Sequence, residues 1–368
     1  MATVIAPPVQ QEKSFVQKHW VLLTTIIVAL VLVIWGYVTN PQVTTAVLAS
    51  ALRQSTPLVL GALCGIFCER SGIVNIGIEG TMLFSAFIAF MANVYLIQLP
   101  IAESLGLVGT LTVAAVVGVL AGGLMGWLLA FMSVTLKMDQ IIGGTVVNIL
   151  AIGLTGYFYQ QGLTTGGKFL SIEIPVLSDI PLLGTIFFDN PPITYLSLIL
   201  IVACHFLLFR TRWGLRTRAV GEHPRAADTV GINVYFMRYA NVILGGCLAG
   251  LAGAYLTLEA VGSFERGMTN GRGFVALAVM LFGKRTPFGA WGAALLFGLA
   301  SAAQTQLQFI TGQAGAEDAG FWGAVVDLLA SIPHQFIGML PYVLTILVLA
   351  GFVGRTRDPK ALGQPYDK

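Results

Sequence analysis

Apolar runs of about 18 residues or more recur along the whole chain, and each is long enough to cross a hydrocarbon core about 30 Å thick. The 368 residues are 56% hydrophobic and only 10% charged, and the mean hydropathy is +0.82. A water-soluble chain carries about 25% charged residues. The sequence therefore predicts an all-α, polytopic helical membrane protein.

The apolar runs predict about ten membrane segments. They lie near residues 21–38, 43–68, 72–98, 106–135, 139–161, 192–209, 236–258, 273–283, 288–309 and 335–353. If the N-terminus is cytoplasmic, alternating crossings leave the C-terminus cytoplasmic as well. The predicted organisation is a cytoplasmic segment at 1–20, a transmembrane domain at 21–353 with a cytoplasmic loop at 210–235, and a cytoplasmic tail at 354–368.

The positions of the basic residues support this orientation. Lys168, Arg266 and Arg272 fall outside and Arg53 lies at membrane depth, whereas the remaining 16 of the 20 Lys and Arg residues fall on the inner side. Such an asymmetry is what the positive-inside rule requires.

No enzymatic constellation emerges from the sequence. The four histidines are scattered, and the four cysteines lie within apolar runs without the neighbours that a metal site needs. The chain lacks a phosphate-binding loop of the G-x-x-x-x-G-K-S/T kind. We therefore predict no metal, no cofactor and no ATPase site on this chain.

Two segments depart from uninterrupted helices. The run 274–283 spans about 15 Å, half of a bilayer, and follows the glycine-rich stretch GSFERGMTNGRG (262–273). The stretch ERSGIVNIGIEGTMLF (69–84) is also rich in glycine and places Asn75 and Glu79 in an apolar frame. Broken helices are tolerated where protein or a water-filled cavity shelters their backbone. One such segment in each half suggests an inverted repeat.

Glu79 is the only carboxylate that the sequence places well inside a crossing. Two roles are open for it: a role in transport, or a structural one, either as a glutamic acid kept neutral or as a carboxylate that accepts from backbone amides near Gly77 and Gly80. Asn148 is also polar and at depth, where hydrogen bonding between helices is the more common role. Aromatic side chains that could stack on a flat ligand, or simply pack, are Phe84, Phe264, Phe274 and Trp291.

Small residues recur at four-residue spacing in two helices and predict close helix packing. They are Gly118, Gly122 and Gly126 in one helix and Gly246 and Gly250 in the other.

A charged stretch, GLRTRAVGEHPRAADTVGI (214–232), stands between two apolar runs on the inner side. Pro224 at a first turn and Gly231 just past the end predict a short helix. The basic residues alone are explained by topology, but a plain connector would not need a capped helix of its own.

Four stretches together carry a family resemblance, and their order and spacing match too. They are ERSGIVNIGIEG (69–80), MDQIIGGTVVNILAIGLT (138–155), RAVGEHPRAADTVGINV (218–234) and GSFERGMTNGRGFVALAVMLFGKRTPFGA (262–290). From about residue 50 to 353 the chain resembles permease subunits of bacterial ABC importers of the branched-chain-amino-acid, ribose and simple-sugar superfamily. Within it, the likeness is strongest to nucleoside-uptake permeases.

The resemblance implies that the short cytoplasmic helix docks into a cleft of an ATP-hydrolysing subunit. Ala226, Ala227 and Val230 are expected to share one narrow face, since such positions are neighbours on a helix. Glu222 and Arg225 are expected to pair at its rim. The residues assigned to ATPase coupling are Glu222, Pro224, Arg225, Ala226, Ala227 and Gly231.

The resemblance also implies the partners and the substrate pathway. The partners are an ATPase subunit with two nucleotide-binding domains, which holds the ATP and magnesium, a second and related permease, and a substrate-binding lipoprotein or periplasmic protein. Membrane lipid surrounds the complex in the bacterial cytoplasmic (inner) membrane, and no nucleic acid is involved. The residues expected to line the pathway are Asn75, Glu79, Asn148, Phe264, Gly271 and Phe274.

Two other functions compete with this interpretation. A stand-alone secondary carrier or channel would need only an ion gradient, but such carriers usually show a relay of intramembrane Asp, Glu or His. An enzyme acting on lipid or polyprenyl substrates would usually show clustered carboxylates or histidines near one membrane face, and the sequence shows none. The cargo favoured for the permease is a nucleoside, with purine nucleosides such as guanosine first, or a related simple sugar.

Overall fold

The computed structural model describes residues 33–312, Met339 and 357–368. Of the predicted crossing 335–353, only Met339 lies within the described residues. Of the crossing 21–38, residues 33–38 are described, and they are helical.

The chain divides into two compact units, Met1–Ala46 and Val47–Lys368. In the first unit, the Thr39 hydroxyl donates a hydrogen bond to the carbonyl of Trp35 at 3.0 Å, which closes the last turn of a short helix. The second unit contains every segment to which the sequence assigns a functional role.

Helices make up most of the described chain. They are α1 (Pro41–Arg70), α2 (Ile78–Leu96), α3 (Ile101–Ala130), α4 (Gln140–Phe158), α5 (Leu183–Phe187), α6 (Pro192–Arg210), α7 (Arg212–Glu222), α8 (Pro224–Thr229), α9 (Val234–Ala254), α10 (Arg272–Phe282) and α11 (Pro287–Gly312). π-Helical turns continue α3 over Phe131–Thr135 and α9 over Tyr255–Val261. Between α4 and α6, β1 (Ile172–Glu173) pairs antiparallel with β2 (Asp189–Asn190).

Six helices in the described ranges are long and apolar enough to cross a membrane. They are α1, α2, α3 and α9 with their π-helical ends, α4 and α6. The predicted fold class, an all-α polytopic membrane protein, is therefore confirmed. The total of about ten segments, the cytoplasmic placement of both termini and the inverted repeat stay predictions.

Helices α3 and α9 pack through the small residues that the sequence pattern singled out. A Cβ atom placed on Gly122 would lie 2.3 Å from the carbonyl oxygen of Gly246 and 2.5 Å from the Cα of Gly250. A Cβ on Gly126 would lie 2.7 Å from the carbonyl oxygen of Val242. The two backbones are thus in direct contact, and the prediction of close helix packing is confirmed.

Both interrupted segments are present in the structure. Residues 71–77 between α1 and α2 are not helical, so the predicted crossing at 72–98 becomes helical only at Ile78. Helix α10 has 11 residues, a length of about 16 Å, and follows the turns of 262–271. Glu69, just before the first interruption, and Arg285, just after α10, have buried side chains that form an ion pair. This pair fixes the end of α1 to the turn after α10.

Candidate functional site: the interrupted helices and the short helix α8

The backbone of the first interruption is satisfied by polar side chains of α4. The backbone N–H of Val74 donates to Oε1 of Gln140 at 2.6 Å. Asn148 accepts from the N–H of Gly80 at 2.7 Å and donates to the carbonyl of Ile76 at 3.2 Å. Buried non-helical backbone needs such partners because water is not there to supply them. Asn148 therefore has the interhelical hydrogen-bonding role that its position suggested.

Glycines allow α4 to come this close to the interruption. A Cβ on Gly80 would lie 2.6 Å from the Cα of Asn148, and one on Gly144 would lie 2.8 Å from the backbone nitrogen of Gly77. These neighbours are backbone atoms that cannot rotate away. The glycine-rich composition of the segment is thus required by its contact with α4.

Glu79 joins the first interrupted segment to the second. Its Oε1 accepts from the N–H of Gly271 at 2.8 Å, and its Oε2 accepts from the N–H of Gly273 at 2.6 Å. These are amides at the start of α10, where helical N–H groups have no acceptor within the helix and where the helix dipole favours a negative charge. Of the two roles left open, the geometry gives Glu79 the structural one. The amides that donate to it are those of Gly271 and Gly273, however, and not amides near Gly77 and Gly80. A transport role stays a prediction.

Replacing Glu79 by glutamine is expected to loosen the start of α10. A carboxylate offers an acceptor to both amides, whereas a carboxamide offers one acceptor and turns an NH₂ donor toward the other amide. Leaving one buried donor unsatisfied costs about 1–3 kcal/mol, and the lower end applies to these part-buried bonds. Hydrogen–deuterium exchange of the peptide covering 271–276 should therefore speed up in Glu79→Gln and stay unchanged in Glu265→Gln, a control in the same loop whose side chain is exposed. Equal protection in both variants would contradict this role.

The other predicted pathway residues divide into buried and exposed ones. Asn75 is 2% exposed and faces the sulfurs of Cys64 and Cys68, each 3.5 Å from its Nδ2. Phe264 is 2% exposed and packs edge-to-face on Phe87, with ring centroids 5.1 Å apart. These contacts are structural.

Gly271 and Phe274 lie at the start of α10. Gly271 has a left-handed backbone with φ of +79° and precedes the first residue of the helix. Phe274 is 48% exposed. Of the six predicted pathway residues it has the most accessible side chain in the described chain, and the function of all six in transport stays a prediction.

Sequence reasoning missed a buried carboxylate near the end of a span. Glu259 is 5% exposed and lies in the π-helical end of α9. It accepts from the N–H of Ile193 at 2.7 Å, and from the N–H and hydroxyl of Thr194 at 3.2 and 2.6 Å, and so caps α6. Glu259 lies two residues before the end of its span, Val234–Val261, so the prediction that Glu79 is the only carboxylate well inside a crossing stays a prediction. The signal available was the pair Ala260 and Val261, which extends the apolar run past the glutamate.

The short cytoplasmic helix forms at the predicted place. Helix α8 begins with Pro224 at its first turn, and Gly231 follows its end with a left-handed φ of +83°. The Gly231 N–H donates to the carbonyl of Asp228 at 2.9 Å. Ala226 is exposed, and Val230 is 73% exposed.

Two details of the predicted docking face are wrong. Ala227 is 3% exposed and packs in the core of the chain itself, so it does not share an exposed face with Ala226 and Val230. The reason is that this helix of six residues lies on α7 and α9 with its middle turned inward. Glu222 and Arg225 form no ion pair with each other in the structure, and both side chains are exposed.

Residues 47–349 match the family described as branched-chain amino acid transport system / permease component. The guanosine ABC transporter permease protein NupQ of Bacillus subtilis is 39% identical over 334 residues, which cover 89% of this chain and 98% of that protein. The nucleoside ABC transporter permease protein NupC of Lactococcus lactis is 39% identical over 330 residues, or 88% of this chain and 96% of that protein. Another guanosine ABC transporter permease protein of Bacillus subtilis, NupP, is 30% identical over 264 residues, 67% of this chain and 70% of that protein. No solved structure matches the chain.

These matches and the fold agree. The family match covers the interrupted helices and α8, and the two relatives at 39% identity align almost from end to end. The resemblance drawn from the four sequence stretches is thus confirmed. The chain is a multi-pass membrane protein that belongs to the branched-chain amino acid transport system permease family, the membrane subunits of ABC importers.

Proposed function

We propose that this chain is one of two different permease subunits of an ATP-driven nucleoside importer in the bacterial cytoplasmic membrane, with guanosine and other purine nucleosides as the favoured cargo. The observation that carries the proposal is 39% identity, over nearly the whole length, to permeases named for guanosine and for nucleosides. The second subunit is a related permease, as the two guanosine permease proteins of Bacillus subtilis suggest.

The chain itself binds no nucleotide in this proposal. An ATPase subunit with two nucleotide-binding domains holds ATP and magnesium, and a binding lipoprotein or periplasmic protein delivers the nucleoside. ATP binding shifts the permease pair between inward-facing and outward-facing states. The free energy of that shift equals the difference between the binding free energies of ATP for the two states of the complex. Helix α8 is the element through which the ATPase acts.

The two interrupted segments are the elements that the cargo passes. A nucleoside needs polar partners for its ribose hydroxyls and base edge, and a flat apolar wall for its base. Phe274 offers an exposed ring at the start of α10, and Glu79 holds that start in place. Movement of α10 would therefore move the ring and the carboxylate together.

Uptake by a defined complex tests the proposal. Proteoliposomes that contain this chain, the second permease, the ATPase and the binding protein should accumulate radiolabelled guanosine only when ATP and magnesium are supplied. Unlabelled guanosine should compete, whereas glucose or ribose should not. Guanosine uptake by this chain alone, driven by an ion gradient without the ATPase, would instead establish a secondary carrier.

A negative charge on the exposed face of α8 is expected to uncouple transport. Ala226→Glu puts a carboxylate where an ATPase surface must approach closely, but it should leave the fold intact because Ala226 is exposed. Guanosine uptake should fall about tenfold or more, in the range of energetic coupling between distant sites. Ala226→Ser, which keeps a small neutral side chain, is the matched control and should retain uptake. Normal uptake by Ala226→Glu would exclude this face as the docking surface.

A further inference from the structure

The described C-terminal residues 357–368 form a tail that lies against the interruption and α7. The N–H of Ala361 donates to the carbonyl of Gly221, the penultimate residue of α7, at 3.0 Å. The N–H of Gly363 donates to the carbonyl of Gly72 in the first interruption at 3.1 Å. These backbone bonds hold the middle of the tail to two separate elements.

Side chains fix the rest of the tail. Tyr366 is 6% exposed and completes a small core whose other members are Val220, Ala227, Val234 and Met237. Asp358 lies 2.8 Å from Nη1 of Arg285, and Lys368 lies 3.4 Å from Asp228 of α8. The tail is therefore a built part of this face of the protein, packed on the same core as α8.

A cavity of about 680 Å³ opens between the tail and α8. One wall consists of Glu222, His223, Pro224, Arg225 and Ala226, and the other consists of Lys360, Ala361, Gln364, Pro365, Tyr366 and Asp367. The first wall contains every residue from the end of α7 to the exposed alanine of α8. Whatever docks on α8 must therefore enter or cover a space that the tail half encloses.

The charges in the cavity define what would fit there. Arg225 and Lys360 are exposed, one on each wall, and neither has an ion-pair partner among the residues that the structure describes. Asp367 is already paired with Lys137. Glu222 also lines the cavity, and its carboxylate would repel a lipid phosphate more than it would repel a polypeptide of mixed charge.

We propose that the C-terminal tail is the second wall of the ATPase-docking site, and that the cavity receives a segment of the ATPase with an acidic side chain for Lys360 and Arg225. This inference rests on the proposed function, because it needs an ATPase at α8. The ATPase then contacts the tail as well as α8, and through the tail it is linked to Gly72 in the first interruption and to Arg285 after α10.

Charge reversal at Lys360 tests the tail without altering α8. The permease pair is reconstituted in nanodiscs, and binding of the purified ATPase is measured as a dissociation constant. Lys360→Glu should raise that constant about tenfold, and the difference from wild type should shrink at high salt because an exposed charge pair is screened. The matched control is Lys284→Glu, an exposed cation that lies outside the cavity, which should bind like wild type.

A cross-link provides a second readout that does not depend on affinity. Lys360→Cys should form a covalent link to the ATPase with a short bifunctional thiol-to-carboxyl reagent, whereas Lys284→Cys should not. Equal binding by Lys360→Glu and Lys284→Glu, together with no link from Lys360→Cys, overturns the inference while leaving the proposed function intact. If wild type itself does not bind the ATPase, both fail.

Varying the lipid composition shows whether the ATPase or an anionic lipid headgroup occupies the cavity. The effect of Lys360→Glu should be the same in nanodiscs of neutral phosphatidylcholine and in nanodiscs that contain phosphatidylglycerol. An effect confined to the phosphatidylglycerol discs would make the cavity a lipid site and overturn the inference.

Discussion

Replacing Gly122 by leucine is expected to destabilise the protein by about 3 kcal/mol or more and to lower its yield and melting temperature. The first added atom would lie 2.3 Å from the carbonyl oxygen of Gly246 and 2.5 Å from the Cα of Gly250, so α3 and α9 would have to separate. Overpacking a well-packed core costs about 1–3 kcal/mol and occasionally more. The upper end applies here because the obstructing atoms are main chain, and a folded protein has only about 5–15 kcal/mol in total.

The yield of monodisperse protein on size exclusion, and its melting temperature in detergent, measure this effect. The matched control is Gly153→Leu, since a Cβ on that exposed glycine of α4 would meet no atom within 4 Å. Gly122→Ala should fall between the two. Similar yield and melting temperature for Gly122→Leu and Gly153→Leu would mean that the contact between the two helices is not as close as described.

Replacing Glu69 by alanine is expected to destabilise the protein by about 3–5 kcal/mol, the cost of leaving one charge of a buried pair without its partner. Glu69 is 6% exposed and Arg285 is 4% exposed, and the two form an ion pair. Asp358 also pairs with Arg285 at 2.8 Å, but its side chain is 63% exposed, so it compensates part of the buried charge and places the loss at the lower end of that range. Thermal unfolding in detergent should show the loss.

A double variant distinguishes the effect of an unpaired buried charge from the effect of changing the side chain at residue 69. Glu69→Leu with Arg285→Met removes both charges and should regain most of the stability, because apolar replacement of a whole buried pair is often neutral or stabilising. Lys284→Met is the control: its side chain is exposed, and its backbone has the same left-handed φ of 52° as Arg285. If Glu69→Ala melts like Lys284→Met, the ion pair does not stabilise the fold.

Local signals in the sequence placed much of this structure. Pro224 and Gly231 bounded α8 because both act on their own stretch of backbone. The four-residue glycine spacing located the contact of α3 with α9, because two helix backbones can touch only where both helices lack side chains. The apolar run 274–283 located the half-length helix α10 to within two residues.

The rest depended on contacts between distant parts of the chain. Glu79 accepts hydrogen bonds from amides that lie 192 and 194 positions later in the chain, and nothing local to Glu79 indicates Gly271 or Gly273. The burial of Ala227 was missed because a helix of six residues is too short for periodicity to define an inner face. The docking of the tail was missed because its backbone hydrogen bonds carry no sequence signal and the side chains that it meets, such as Arg285, are distant in the sequence.

Cross-linking of α8 in the assembled complex tests most directly whether the ATPase acts through this helix. Val230 is 73% exposed, whereas Cys64, Cys68 and Cys204 are buried and Cys247 is half-buried, so Val230→Cys adds the most accessible thiol, at the end of α8. The thiol should link to the ATPase subunit, and ATP should change the yield, whereas Ala260→Cys, an exposed position predicted to lie on the opposite side of the membrane, should give no link. Modification of Val230→Cys by soluble maleimide at the same rate with and without bound ATPase, and no link to that subunit, would contradict the account.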